Sequence, residues 1–107
     1  GIAVNVDSAG LRHRLGPELE STLFHIANEA LTNCAKHSHA STVAIVLKRE
    51  AGKVVLSIAD NGIGFTPEAP PGSGLGLITM RERAEFAGGT FRLDAAPGHG
   101  TRIEVRV

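Results

Sequence analysis

A chain of 107 residues, 42% of them hydrophobic, has the size of one domain with one core and leaves no room for a second. Its 11 basic and 11 acidic residues cancel and are mixed along the chain, so no basic stripe marks a nucleic-acid or membrane surface. The single cysteine, Cys34, excludes an internal disulfide, and no apolar run is long enough to span a bilayer or opens the chain as a signal peptide would, so the piece reads as soluble and cytoplasmic, with a membrane-anchored parent left open.

Ile2, Val4 and Val6 alternate with Ala3 and Asn5, the period of a half-buried strand, and the stretch from there to Gly16 reads as a loop. Pro17 suits the first turn of a helix; Leu19, Leu23, Ile26, Ala27, Ala30, Leu31 and Cys34 then recur at spacings of three and four, which predicts the principal helix from 17 to about 37. Inside it Cys34 reads as a small buried thiol. Val43, Ile45 and Leu47 mark a second strand, Ala51-Gly52 a turn, and Lys53 to Ala59 a third strand, together a hairpin.

Residues 60 to 74 break every regular pattern and read as an irregular loop. Leu75 to Ala87 resumes helical character, with Leu77, Ile78, Ala84 and Ala87 as packing positions and Gly88-Gly89 as the stop. Phe91 and Leu93, then Ile103, Val105 and Val107, make a closing hairpin joined by Pro97 to Gly100. The order implies an α+β fold: a two-layer sandwich with helices on one face of a mixed, mostly antiparallel sheet.

On a wheel of about 100° per residue, Glu29, Asn33, Lys36 and His37 gather on one flank of the first helix's apolar stripe. Such a set suits a metal-phosphate site: the Asn33 amide oxygen for Mg²⁺, Lys36 for phosphate oxygens, and Glu29 to orient an attacking group or take its proton. A solvated helix flank explains the same residues equally well. Asp60 ends a strand and runs into Asn61-Gly62-Ile63-Gly64, where a carboxylate can accept a hydrogen bond from an exocyclic amine such as that of adenine, or where the segment is simply an Asp-Asn-Gly turn.

Gly72-Ser73-Gly74-Leu75-Gly76 precedes the second helix and offers free N–H groups to phosphates; a plain flexible segment is the alternative. No Gly-Lys-Ser/Thr follows, so this is not a Walker A loop, and Leu77 and Thr79 stand where a dinucleotide fingerprint needs its last glycine. Gly98-His99-Gly100 before Thr101 reads as a hairpin turn. The histidines and Cys34 have no zinc-site spacing, and no serine has a nucleophile-elbow context.

The order of these fragments is more telling than any one of them. Glu29-x3-Asn33-x2-Lys36-His37, Asp60-x-Gly62-x-Gly64, Gly74-Leu75-Gly76-Leu77 and Gly98-x-Gly100-Thr101 resemble the GHKL ATP-binding family, which includes gyrase, histidine kinases, MutL and a heat-shock chaperone. Asn28 to Asn33, Lys36-His37 and Met80-Arg81-Glu82-Arg83-Ala84 further resemble the sensor histidine kinases that partner response regulators with helix-turn-helix output domains.

The resemblance covers essentially the whole chain and implies a cofactor, Mg-ATP, and a set of roles. Asn33 would hold Mg²⁺, Lys36 and His37 would contact phosphates, Asp60 would read the adenine amine, and Gly62 and Gly64 would shape its pocket. Gly74, Leu75, Gly76 and Leu77 would form the second glycine box, its glycines hinging a short lid. Thr101 would sit near the base through a water, and Glu29 would assist attack by the phosphoacceptor.

The family's phosphoacceptor histidine lies on a separate hairpin and is followed by an acidic residue, whereas His13, the nearest by position, is followed by Arg14. The expectation is therefore a catalytic domain without its phosphoacceptor and dimerisation hairpin, monomeric alone, from a homodimeric parent that signals to a response regulator. Rivals within the fold are a GHKL ATPase and an anti-sigma serine kinase; outside catalysis the rival is an ATP-sensing module.

Overall fold

A computed structural model describes residues 2–10, 15–64 and 74–107. Five strands and two helices alternate along them: β1 (Ala3–Gly10), α1 (Pro17–Asn33), β2 (Thr42–Glu50), β3 (Lys53–Asp60), α2 (Leu75–Phe86), β4 (Thr90–Ala95) and β5 (Thr101–Arg106). They form one sheet in the order β1-β2-β3-β5-β4. Only the β1–β2 pairing is parallel, as the α1 crossover between those strands allows; the other three are antiparallel, joined in two cases by tight hairpins. The expected α+β sandwich with a mostly antiparallel sheet is the one formed.

The core lies between the helices and one sheet face. Leu23, Ile26, Ala30 and Cys34, at the spacing of a helical stripe, meet Met80 and Ala84 of α2 and the inward positions Val43, Ile45, Leu56, Ile58, Ile103 and Val105 of the strands. The β2–β3 turn places Ala51 at φ 52° and Gly52 at φ 80°, the doubly left-handed geometry of a type I′ hairpin.

Three expectations need correction. The first strand is not half-buried: it runs to Gly10, through residues expected to be loop, and every position is exposed, with Val4 at 44% and Val6 at 68%. As the edge strand it pairs with β2 alone, and neither helix packs on it to cover its apolar side chains. In α2 the buried positions are Met80 and Ala84, with Leu77 half-buried, a stripe spaced three then four. Ile78, off that stripe, and Ala87, at the cap beyond the last helical residue, are exposed. Finally, α1 does not continue as an α-helix to residue 37. It gives way after Asn33 to a π-helical turn, Cys34–Ser38, ended by His39 in the left-handed region at φ 54°.

Candidate functional site

The carboxyl end of α1, the end of β3, the start of α2 and the start of β5 converge on one cavity of about 240 Å³. That is room for a planar heterocycle rather than a single water, whose share of liquid volume is about 30 Å³. Its wall is mostly apolar, with Ala30, Cys34, Ile58, Ile63, Leu77 and Ile103, and its polar groups come from Asn33, His37, Asp60 and Thr101. A largely apolar cavity with few convergent polar groups is the usual form of a small-molecule site.

At one polar grouping, β3 and β5 set Asp60 directly beside Thr101 across the antiparallel ladder. The Asp60 carboxylate is held from two sides: the Gly62 N–H donates to Oδ1 at 2.8 Å, and the Cys34 thiol donates to Oδ2 at 3.2 Å. The next residue, Asn61, has a different task. Its Oδ1 accepts the Ser41 and Thr42 N–H groups at 2.9 and 3.0 Å, and its Nδ2 donates to Ser41 Oγ at 2.8 Å, clamping the end of β3 to the start of β2. The Asp-Asn-Gly segment is thus a turn, and its geometry also leaves the Asp60 side chain on the cavity wall.

Glycine is required where backbones meet beneath this grouping. Gly64 and Gly100 have φ of 65° and 74°, and a Cβ on Gly64 would run into the Ala96 carbonyl, one on Gly100 into the Asp60 carbonyl. The Gly98 N–H donates to the Ile63 carbonyl, so the β4–β5 turn is docked on the loop after β3. Besides being a hairpin turn, it braces the segment that carries Ile63 and Gly64 into the cavity wall.

The second polar grouping joins the two helices. A Cβ on Gly76 would collide with the Glu29 carboxylate and come within 3.1 and 3.2 Å of the Asn33 amide atoms, so the start of α2 packs directly on these two polar side chains of α1. Gly74, at φ 75°, precedes α2 and lines the cavity with Gly76 and Leu77.

Of the residues singled out in the sequence, Asn33, His37, Asp60, Gly64, Gly74, Gly76, Leu77 and Thr101 line the cavity. Gly62 contributes through its bond to Asp60, and Glu29 abuts Gly76 just outside the wall. Leu75 is 64% exposed and Lys36 is exposed; neither is in the wall. For Lys36 the cause is the π turn, which rotates less per residue than an α-helix and keeps His37 near Asn33 while carrying Lys36 away from it. His13, Gly72, Ser73 and the rest of the expected irregular loop from 65 to 73 lie outside the described residues. Sequence reasoning missed the Cys34–Asp60 bond, because the periodic stripe reads that residue as packing, and the Asn61 clamp, which leaves no periodic signal.

An oxygen-seeking ion such as Mg²⁺ takes few protein ligands and completes its shell with water and phosphate oxygens. The Asn33 amide and Glu29 carboxylate beside Gly76 fit such use. Among the described residues no cluster of three or more His, Cys, Asp or Glu offers an all-protein metal cage, and no helix is long and apolar enough to cross a membrane.

Comparison with known proteins accords with this geometry. The family described as "Histidine kinase-, DNA gyrase B-, and HSP90-like ATPase" matches residues 18–107. The oxygen sensor histidine kinase NreB of Staphylococcus carnosus is 32% identical over the whole chain, which spans 31% of that protein. The sensor histidine kinase LiaS of Bacillus subtilis is 40% identical over 83% of the chain and 25% of its own length. The chain thus spans about a quarter to a third of these relatives.

Among solved structures, the Erythrobacter litoralis EL346 blue-light activated histidine kinase shares the fold at TM-score 0.84 and 20% identity, over 99% of this chain and 35% of that one. The mycobacterial sensor histidine kinase MprB superposes at 0.76 with 28% identity, over 99% of this chain and 80% of that one. With its motifs arrayed round one cavity and these relatives beside it, the chain belongs to the histidine kinase-, DNA gyrase B- and HSP90-like ATPase family, and its relatives there are sensor histidine kinases.

Proposed function

We propose that this domain binds Mg-ATP and delivers the γ-phosphate to a histidine on a separate phosphoacceptor and dimerisation domain of its parent kinase, which then passes it to a response regulator. The observation that carries the reading is the Asp60 carboxylate fixed at the wall of an apolar cavity whose other polar groups are Asn33 and His37 from the end of the first helix and its π turn and Thr101 from β5. Membership of the ATPase family and the sensor-kinase relatives support it.

In this reading the purine lies between Ile58, Ile63 and Ile103 and its exocyclic amine donates to Asp60, while Thr101 stands beside the base. The phosphates run toward Asn33, His37 and the start of α2, where Gly74 and Gly76 permit close backbone approach and the helix N-terminus favours negative charge. Mg²⁺, when bound with the nucleotide, would neutralise phosphate charge, with Asn33 its amide ligand. Lys36, exposed and outside the cavity wall, would meet phosphate oxygens beyond the cavity.

The remaining chemistry is positional. Phosphoryl transfer gains most of its rate from alignment and charge neutralisation, so the domain's own part is to hold the γ-phosphate in line with an incoming imidazole. Glu29, beside Gly76, would orient the imidazole or accept its proton.

The test is calorimetric titration with a non-hydrolysable ATP analogue, followed by incubation of the domain with radiolabelled ATP, alone and with a phosphoacceptor hairpin from a sensor kinase added in trans. Saturable binding with acid-labile label on the hairpin only is expected. Label on a histidine of this chain would overturn the need for a separate phosphoacceptor, and steady hydrolysis with no transfer would overturn the kinase assignment.

A further inference from the structure

We infer that Cys34 is a positioning residue for the base end of the site: its thiol orients the Asp60 carboxylate and so sets the preference for an amino over an oxo group on the bound purine. The inference rests on the nucleotide reading above and extends it to a residue that the motifs do not contain.

A free aspartate carboxylate rotates broadly about its last side-chain bond. Here each oxygen has a different donor, Gly62 N–H on Oδ1 and Cys34 Sγ on Oδ2, and two donors on opposite sides fix the plane of the group. A carboxylate has about four lone-pair sites, so two donors leave acceptor capacity and no donor facing the cavity. That remainder suits a purine amine and repels a purine carbonyl.

The thiol is well placed for the task. Cys34 is 5% exposed, lines the cavity, and is the first residue of the π turn, immediately after Asn33, so one local feature of the helix presents the amide and the thiol side by side. Without the thiol, Oδ2 loses this donor, the carboxylate gains rotational freedom, and the pocket's acceptor is no longer aimed.

The experiment compares wild type with Cys34→Val, which keeps bulk without a donor, and Cys34→Ser, which restores an O–H donor. Each protein is titrated with ADP and with IDP, whose base carries a 6-oxo group, and melted in parallel. For Cys34→Val the expected result is an ADP Kd raised about three- to tenfold, the range of one hydrogen bond's net contribution, and an IDP/ADP Kd ratio reduced by a similar factor.

Cys34→Ser is expected to keep the wild-type ratio within about twofold, again well inside one hydrogen bond's contribution. A folded Cys34→Val protein with an unchanged ratio would overturn the inference and return Cys34 to packing; if that variant does not fold, Cys34→Ala decides by the same ratio. Wild type binding neither nucleotide would overturn the nucleotide reading itself, an outcome distinct from wild-type binding with a ratio indifferent to residue 34.

Discussion

Asp60→Asn separates recognition from folding because the two uses of this side chain are visible atom by atom. An asparagine can keep its amide oxygen on the Gly62 N–H, now taken by Oδ1 at 2.8 Å, and its NH₂ then occupies the place of Oδ2, facing the cavity and the Cys34 sulfur 3.2 Å from that position. The turn is preserved and the thiol can rotate to act as a weak acceptor, so the loss of stability stays near 1 kcal/mol, or about 4–8 °C in Tm for a domain of this size.

The ligand meets a different group. A donor now faces the purine amine, and a charge-assisted hydrogen bond of about 1.5–3 kcal/mol is lost, which raises Kd by roughly 10- to 150-fold. The sign should reverse for a 6-oxo base, to which the new NH₂ can donate, so the IDP/ADP Kd ratio should fall by more than the loss of one bond alone would give. Calorimetric titration of both nucleotides, with melts run alongside, reads all three quantities. Equal ADP affinity in a folded Asp60→Asn protein would refute the assignment of Asp60 to the base; a loss of both ligands in step with a collapsed Tm would show that the carboxylate serves the fold.

Asn33→Ala should leave Mg²⁺-free nucleotide binding within a few-fold and abolish its enhancement by Mg²⁺, checked by titrations with and without the ion. Gly100→Ala, at φ 74° with the Asp60 carbonyl where its Cβ would go, should destabilise the domain by roughly 2–4 kcal/mol, measured by urea unfolding. Ala51→Asn should do the opposite: asparagine tolerates the left-handed conformation that Ala51 holds at φ 52°, and a gain of about 0.5–1 kcal/mol should show as a higher Tm with unchanged nucleotide affinity.

Periodicity made the architecture legible. The stripe Leu23, Ile26, Ala30 and Cys34 and the alternating Ile103 and Val105 each point to a single face, and that face is the core. The first strand was legible as a strand but not as an exposed one, because alternation reports which side chains share a face and not whether anything covers it. Likewise a wheel assumes one helical pitch. The change to a π turn after Asn33 kept His37 on the cavity and removed Lys36 from its wall, and no residue in Cys34–Ser38 announces that change.

The site's glycines were legible as breaks in pattern, but their reasons were not: Gly76 is small because Glu29 and Asn33 press on it, and Gly100 because the Asp60 carbonyl does. These are contacts between residues up to 47 positions apart, and only the folded chain brings them together. The Cys34–Asp60 bond, across 26 positions, belongs to the same class.

The residues matched by the family begin at 18, yet β1, at Ala3–Gly10, supplies the only neighbour of β2 on that side. A protein trimmed to the matched region would therefore present β2 with a full row of unsatisfied N–H and C=O groups, on the strand that also carries the buried Val43 and Ile45. Boundaries drawn from the family match alone would therefore move the edge of the sheet from β1, whose side chains face solvent, to a strand that builds the core.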